Sequence, residues 1–346
     1  MIHLWYSNHL EKLVVALSDA MNAERTDPLL PITIVVPNRN IATFLKFELA
    51  RINGIAANLD TIFVNQFFES LRPEGSEVLR REILRSLLIE RIEEICAADP
   101  IARPEDQEIR AYFAASLDED DYDRRLFQLA DRLAKLFEEY ELSRPAMIRH
   151  WPAGTILNRE PYSSTERWQR LLWLDIFGPE GWAAKHNAVA PKKTMRFGEV
   201  LRGIVDRRPV LDGPVHIFGL SYLSRLYYDA IGTLGDTSEV FIYALNPCME
   251  YWEDVPNGWA VSQKNRFKKR RDEQPALNLL TVDDALFEDE EDPPPLKLWG
   301  RPGRDNIRML NLLTDCDFET DFVDPLLDAD TLLHRIQHDV LVRAPM

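Results

Sequence analysis

The sequence is poor in the residues that mark secreted, membrane-spanning or zinc-binding proteins. Its three cysteines, among 346 residues, lie far apart and form no C-x-x-C pair, so neither a disulfide framework nor a structural zinc site is predicted. No apolar run reaches the roughly 18 residues of a membrane span. The first residues, MIHLWYSNHLEKL, lack the basic and apolar regions of a secretory signal. These absences predict a cytoplasmic protein that does not contact a membrane.

Positive charge is also scarce, with 41 Lys and Arg against 57 Asp and Glu and a net charge of -16. Nucleic-acid binding spread over the whole surface is excluded, because it depends on basic side chains that neutralise phosphates. Any DNA contact must therefore be local. Two charged runs, KNRFKKRRDE at 264–273 and DDALFEDEEDPPP at 283–295, are interpreted first as solvated connections. A phosphate or partner contact by the first run stays open.

What the sequence does contain is 45% hydrophobic residues, enough for a sizeable core in two or three units. MIHLWYSN, ITIVV, PVHIFGL and EVFIYAL have the patterns of strands, and the last two are separated by a helix suited to a right-handed crossover. From Ser76 to about Trp182 the pattern is helical, with no convincing strand. We therefore predict a parallel α/β domain formed by residues 1–74 and 196–346, interrupted by an all-helical insertion at 75–195.

One junction has the strand-turn-helix pattern at which P-loop NTPases bind phosphates. Its turn, Pro37-Asn38-Arg39-Asn40, has none of the glycines, the lysine or the Ser/Thr of a phosphate loop, and Pro37 lacks a backbone N–H. An anion could still bind at the helix N-terminus with help from Arg39. Taken alone, however, the turn favours a structural role.

Two further patterns allow both a functional and an ordinary structural role. HRIQH at 334–338 spaces His334 and His338 like a zincin pair, but Arg335 stands where the general-base Glu should be, so a surface helix is favoured and no cofactor or metal is predicted. The aromatic run NPCMEYWEDVPNGW at 246–259 could stack on bases. Packing in a core or an interface is favoured for it.

Seven segments occur in an order that resembles one known family: YSNHLEKL, GIAANLD, RRLFQLADRLAKLFEEYELSRP, HIFGLSYL, NPCMEYWED, WGRPGRDN and LLHRIQHDVL. Together they resemble the N-terminal part of the gamma subunits of exodeoxyribonuclease V, the RecC family. The resemblance extends from one end of the chain to the other, and proteins of this family are much longer.

The resemblance implies a RecA-like, superfamily-1 helicase-like domain of the P-loop-NTPase type whose ATP site is degenerate, with an inserted helical 1B-like domain. The turn at 37–40 would take the place of the phosphate loop and contact an exiting single strand instead. Family members lead the 3′-ended strand from a duplex end through a tunnel and scan it for the chi hotspot. Motors and nuclease belong to partner alpha and beta subunits of a heterotrimer, so this chain is expected to be catalytically inactive.

By family position, the resemblance implies that one tunnel wall includes seven DNA-binding residues: Arg39, Thr43, Phe63, Lys135, Leu136, Glu138 and Arg144. Lys135 and Arg144 could neutralise phosphates, and Glu138 could accept a hydrogen bond from a cytosine amino group. The spacing of Lys135 and Glu138 on one helix is equally typical of a solvated ion pair.

The chain departs from the best-known family member at two of these positions and at Pro37 in the 37–40 turn. Pro37 and Arg39 stand where that member has amide and hydroxyl side chains, and Lys135 replaces an acidic residue. A tunnel with altered hotspot preference, or with none, is therefore open. Two other functions also remain open: a scaffold for the motor subunits with little DNA contact, and an active helicase, which the missing phosphate-loop groups oppose.

Overall fold

The computed structural model describes residues 1–24, 29–99, 103–253, 292–327 and 329–344. The chain divides into two compact units. Unit 1 comprises residues 1–67, 209–223 and 231–346, and unit 2 comprises residues 68–208 and 224–230. Their interpretation as a helicase-like 1A domain and a 1B insertion stays a prediction.

The strands and helices of unit 1 alternate along the chain. The strands are β1 (Ile2–Ser7), β2 (Ile32–Val36), β3 (Leu59–Phe63), then β6 (Val215–Phe218), β7 (Val240–Leu245) and β8 (Glu319–Thr320). The helices that lie in unit 1, wholly or in part, are α1 (Leu10–Glu24), α2 (Arg39–Asn53), α3 (Val64–Ser70), α11 (Arg225–Thr237), α12 (Pro294–Trp299), α13 (Arg301–Leu313) and α14 (Leu332–Leu341).

The six strands form one sheet in the order β3-β2-β6-β7-β1-β8, and every pair in it is parallel. The predicted parallel α/β fold class is thus confirmed. Strands from both sides of the inserted unit lie in this one sheet. β6 and β7 are buried along nearly their whole length, as expected of strands with helices on both faces.

Helices cover the sheet on opposite faces. One buried cluster joins the sheet residues to Leu13 and Leu17 of α1 and to Leu45 and Leu49 of α2. Burial of each leucine side chain stabilises the folded state by roughly 1.5–3 kcal/mol. The other face is covered by α11 and α13. Gly235 of α11 lies so close to Ile2 that an added Cβ would be 2.2 Å from its side chain.

The segment after β7 packs through the buried indole ring of Trp252. Trp252 is 2% exposed, and Cβ atoms added at Gly300 and Gly303 would lie 3.0 and 3.3 Å from its ring. Its indole N–H donates to Asn246 Oδ1 at 3.1 Å. The glycines of WGRPG thus allow α12 and α13 to meet the ring, and the prediction that this aromatic run packs internally is confirmed for Trp252.

Unit 2 is mainly helical. Its helices are α4 (Arg81–Ala97), α5 (Gln107–Ala114), α6 (Glu119–Ser143), α7 (Pro145–His150), α8 (Ser163–Phe177), α9 (Trp182–Val189) and α10 (Phe197–Arg207). The apolar stripe of α6 enters a core with α4 and α8, in which Leu133 and Phe137 are fully buried. α6 ends just before Pro145, which begins α7, as the sequence predicts.

The unit also contains a small parallel sheet, so the expectation of an all-helical insertion is wrong. Strands β4 (Ser76–Val78) and β5 (Lys193–Met195) pair along three residues, and Leu79 N–H extends the pairing by donating to Met195 O at 2.8 Å. Three-residue strands are too short to establish a period of two in the sequence.

Candidate nucleic-acid interface

The turn between β2 and α2 uses its polar side chain to begin the helix. Asn38 has an extended backbone, and its Oδ1 accepts a hydrogen bond from Ile41 N at 3.1 Å. This is the N-cap arrangement, which satisfies one of the free N–H groups of the first turn. Asn38 therefore has a structural role, while Arg39 at the first helical position is exposed.

Three of the predicted DNA-binding residues lie at or after the carboxyl ends of two neighbouring strands, β2 and β3. Arg39 and Thr43 are one helical turn apart on α2, and both are exposed. Phe63 ends the neighbouring strand β3, is paired in register with Val36, and is 39% exposed. A basic, a hydroxyl and an aromatic side chain therefore share one end of unit 1.

A third strand ends at the same edge. Val35 of β2 is in register with Ile217 of β6, so the loop that follows Phe218 begins beside the 37–40 turn. Gly219 has φ +68, and a Cβ there would lie 3.9 Å from Ile41. The loop then exposes Tyr222, which is 61% exposed. No sequence pattern indicates this residue, because its position depends on strand order.

The other four predicted residues lie on α6 or at its end, in unit 2. Lys135 is half-exposed, Leu136 is partly buried beside the core stripe, and Arg144 at the C-cap is exposed. The guanidinium of Arg144 lies 5.9 Å from the ring centroid of Tyr140, a cation–π distance. Lys135 and Arg144 thus present positive charge on the outer surface of the unit.

Glu138 is engaged by a residue of α4. Its Oε2 accepts hydrogen bonds from Nε and Nη2 of Arg81 at 2.8 and 2.5 Å, and this hydrogen bond is the main cause of a raised Arg81 pKa. Lys135 instead pairs with Glu139, one turn later, at 3.8 Å. The alternative interpretation, in which Lys135 and Glu138 pair with each other, is therefore wrong, because each residue forms an ion pair with another partner.

The structure assigns the two residue sets to different units: Arg39, Thr43 and Phe63 to unit 1 and the α6 residues to unit 2. Within unit 1 the sheet brings its three residues to one edge. Their convergence with the α6 residues on one strand path stays a prediction.

A second strand-turn-helix junction, between β1 and α1, is bound by hydrogen bonds and an ion pair to residues 321–323. Asn8 exchanges hydrogen bonds with the backbone of Val323 at 2.7 and 2.9 Å, and Ser7 Oγ donates to Asp321 O at 2.6 Å. Lys12 Nζ lies 3.2 Å from the Asp321 carboxylate. The turn, Ser7-Asn8-His9, has no glycine, so this junction also lacks a phosphate loop.

Both histidines of HRIQH form hydrogen bonds with nearby side chains. His338 Nδ1 bonds to Asp324 at 2.8 Å and His334 to Thr331 at 2.6 Å. Within the five described ranges no group of three metal-ligating side chains exists, and no helix there is both long and apolar enough to cross a membrane.

Trp259 and the run at 264–273 lie outside the described residues, as does most of 283–295.

These features define an α/β protein with a parallel sheet, an inserted helical unit and two strand-turn-helix junctions that lack a glycine-rich phosphate loop. The family described as RecC, N-terminal domain, matches residues 2–343, and the chain belongs to this family. The resemblance carried by the seven ordered segments is thereby confirmed.

Two curated relatives have the same family name. The RecBCD enzyme subunit RecC of Escherichia coli (strain K12) is 28% identical over 365 residues, covering 99% of this chain and 31% of that protein. The RecBCD enzyme subunit RecC of Haemophilus influenzae is 25% identical over 355 residues, covering 90% of this chain and 30% of that protein. The chain therefore spans about a third of the length of these relatives.

Proposed function

We propose that this chain is the N-terminal part of an exodeoxyribonuclease V gamma subunit and forms part of a channel for the 3′-ended single strand. In this role it acts in double-strand-break repair and recombination without catalysing a reaction itself. Partner alpha and beta subunits supply the motors and the nuclease. Scanning for a chi-type hotspot belongs to the same proposal.

The observation that carries the proposal is the placement of three side chains in a chain of the RecC family. Arg39, Thr43 and Phe63 lie at or after the carboxyl ends of the neighbouring strands β2 and β3. A basic side chain attracts the phosphates, and an aromatic ring offers a stacking face to an unpaired base. Both lie on a protein whose net charge of -16 makes binding elsewhere unfavourable. A local contact with one strand is what such a distribution supports.

A single-strand binding assay tests the proposal. Fluorescent oligo-dT should bind the purified chain with an affinity that falls with salt, and Arg39→Ala should weaken binding and flatten the salt dependence. Thr43→Val should change the preference among oligonucleotide sequences more than the affinity. Equal binding of Arg39→Ala and unsubstituted protein at every salt concentration would contradict the channel.

The second candidate function, a scaffold for the motor subunits, is favoured by helix α14. Its Leu332, Leu333 and Ile336 are 76%, 61% and 41% exposed, an apolar set at helical spacing of the kind that marks protein interfaces. The two functions differ in one result. A scaffold loses partner binding in a Leu333→Asp variant while oligo-dT binding by the isolated chain is absent from the start.

A further inference from the structure

We infer that Tyr222 is a base-stacking residue of the channel, an assignment that rests on the proposed function and extends its site beyond the residues taken from the family. The inference begins with the direction of the chain connections. From β2 the chain passes through α2 to β3, at one edge of the sheet, whereas from β6 it passes through α11 to β7, in the opposite direction.

These two connections also leave on opposite faces. α2 shares its buried cluster with α1 and with Trp5, which packs against the same face. α11 lies against Ile2, and residues three apart on a strand point to opposite faces. Where neighbouring parallel strands send their connections apart in this way, a crevice opens at their carboxyl ends, and ligands of open α/β sheets bind there. The crevice of unit 1 therefore lies between the 37–40 turn and the 219–223 loop.

The loop is built to present one ring at this crevice. Gly219 uses a left-handed backbone to turn beside Ile41, and its N–H donates to Tyr243 O at 2.9 Å. Leu220 and Leu223 are partly buried and hold the ends of the loop, while Ser221 and Tyr222 are exposed. Because Leu220 and Leu223 restrict the loop backbone, less conformational entropy is lost when the exposed Tyr222 ring stacks on a base.

The chemistry of the crevice favours a nucleic acid over a protein segment. In the turn and the loop, PNRN and GLSYL, Arg39 is the only charged residue, so the crevice is locally positive on an acidic protein. Phe63 ends β3, while Arg39 and Tyr222 lie three and four residues after the ends of β2 and β6, the next two strands of the sheet. Rings on either side of a cation match a strand that alternates bases and phosphates.

The test compares Tyr222→Ala and Tyr222→Phe for binding to fluorescent oligo-dT and to an abasic strand of equal length. Tyr222→Ala should weaken oligo-dT binding about tenfold, the loss of one stacked base, while Tyr222→Phe keeps it. On the abasic strand all three proteins should bind equally. The slope of affinity against salt should not change, because no charge is removed. Phe47→Ala, which removes another exposed ring, 71% exposed on α2, is the control and should bind normally.

The outcomes separate this inference from the proposed function. If the unsubstituted protein binds oligo-dT in a salt-dependent way and Tyr222→Ala binds it equally well, the stacking role is wrong and the channel stands. Equal losses on oligo-dT and on the abasic strand would also overturn stacking. If Tyr222→Ala binds DNA normally but no longer binds a partner subunit, Tyr222 belongs to a protein interface and the stacking role is wrong. If the unsubstituted protein binds no strand at all, the proposed function itself fails.

Discussion

The carboxylate of Glu138 is held by the guanidinium of Arg81 through two hydrogen bonds, although the residues are 57 positions apart. The Glu138 carboxylate is therefore already occupied as an acceptor. A base that donates a hydrogen bond to it must compete with Arg81. This competition makes Arg81 a second control on any sequence preference that Glu138 gives the strand path.

The first prediction follows from that competition. Arg81→Ala should free the Glu138 carboxylate and increase the preference for oligo-dC over oligo-dT, because only cytosine offers an amino group to it. Glu138→Gln should reduce the same preference with a smaller effect on total affinity. Competition binding between the two oligonucleotides measures both effects, and Arg85→Ala, which loses a pair with Asp131 on the same two helices, is the control. An unchanged dC/dT ratio in both variants would remove Glu138 from base reading.

The second prediction concerns the exposed cations of α6. Lys135→Ala and Arg144→Ala should each weaken binding to every single strand and reduce the slope of log affinity against log salt by about 0.7, the value for one phosphate contact on a single strand. Lys192→Ala removes an exposed lysine of the same unit and should leave the slope unchanged. A titration of oligo-dT affinity against NaCl measures the slopes. If Lys192→Ala has the same effect as the other two, the contact is not local.

The third prediction is that the chain does not hydrolyse ATP. Neither the 37–40 turn nor the β1–α1 junction supplies a glycine-rich loop, and Asn38 is used as a helix cap. DNA-stimulated phosphate release should stay at background. Lys12→Ala removes the lysine of the β1–α1 junction, which pairs with Asp321, and should give the same background. Turnover that Lys12→Ala abolishes would establish a working nucleotide site.

The fourth prediction is a pH dependence of stability caused by His216. This residue is fully buried on β6 and stacks on Phe241 with 4.9 Å between ring centroids, and burial lowers its pKa from 6.5 to about 4. The unfolded chain therefore binds the proton more readily, so stability is lost as pH falls from 6.5 towards 4, by up to about 3 kcal/mol.

His216→Gln keeps a polar group near the Tyr243 hydroxyl, which lies 3.1 Å from Nδ1, but does not titrate in this range. Urea unfolding at a series of pH values should therefore show a shallower acid loss in the variant than in the unsubstituted protein. Parallel curves between pH 6.5 and 4 would mean that His216 accepts a proton without unfolding.

The fifth prediction concerns a buried ion pair of unit 2. Arg196 Nη1 lies 2.5 Å from Glu141 Oε1, and the carboxyl group is 5% exposed; burial raises the pKa of Glu141. Arg196→Met should destabilise the protein by about 3–5 kcal/mol, because an unpaired carboxylate is left buried. The double variant Glu141→Gln with Arg196→Met should cost less. Urea unfolding measures both, with the exposed Arg132→Met as control; equal losses in the single and double variants would contradict the mechanism.

The sequence was sufficient for features that depend on local pattern. The buried strands β2, β6 and β7, the α6 stripe and its stop before Pro145 all follow from residue periodicity and from proline geometry. It was insufficient where a partner comes from a distant segment. Arg81 as the partner of Glu138, and Tyr222 at the end of β6, became visible only when helix packing and strand order placed them. The three-residue strands β4 and β5 carry too little pattern to be recognised.

The pairing of β1 with β7 joins Ile2 to Val240, and this has a consequence for how the protein is made. A ribosome that has completed β1 has to synthesise about 230 further residues before this strand can pair with β7. The helical core between Leu84 and Ile176 is synthesised earlier and can fold first. Until β7 emerges, the nascent β1 keeps unpaired backbone groups and apolar side chains that invite wrong partners. A chaperone that shields Ile2–Ser7 during translation would therefore raise the yield of native protein.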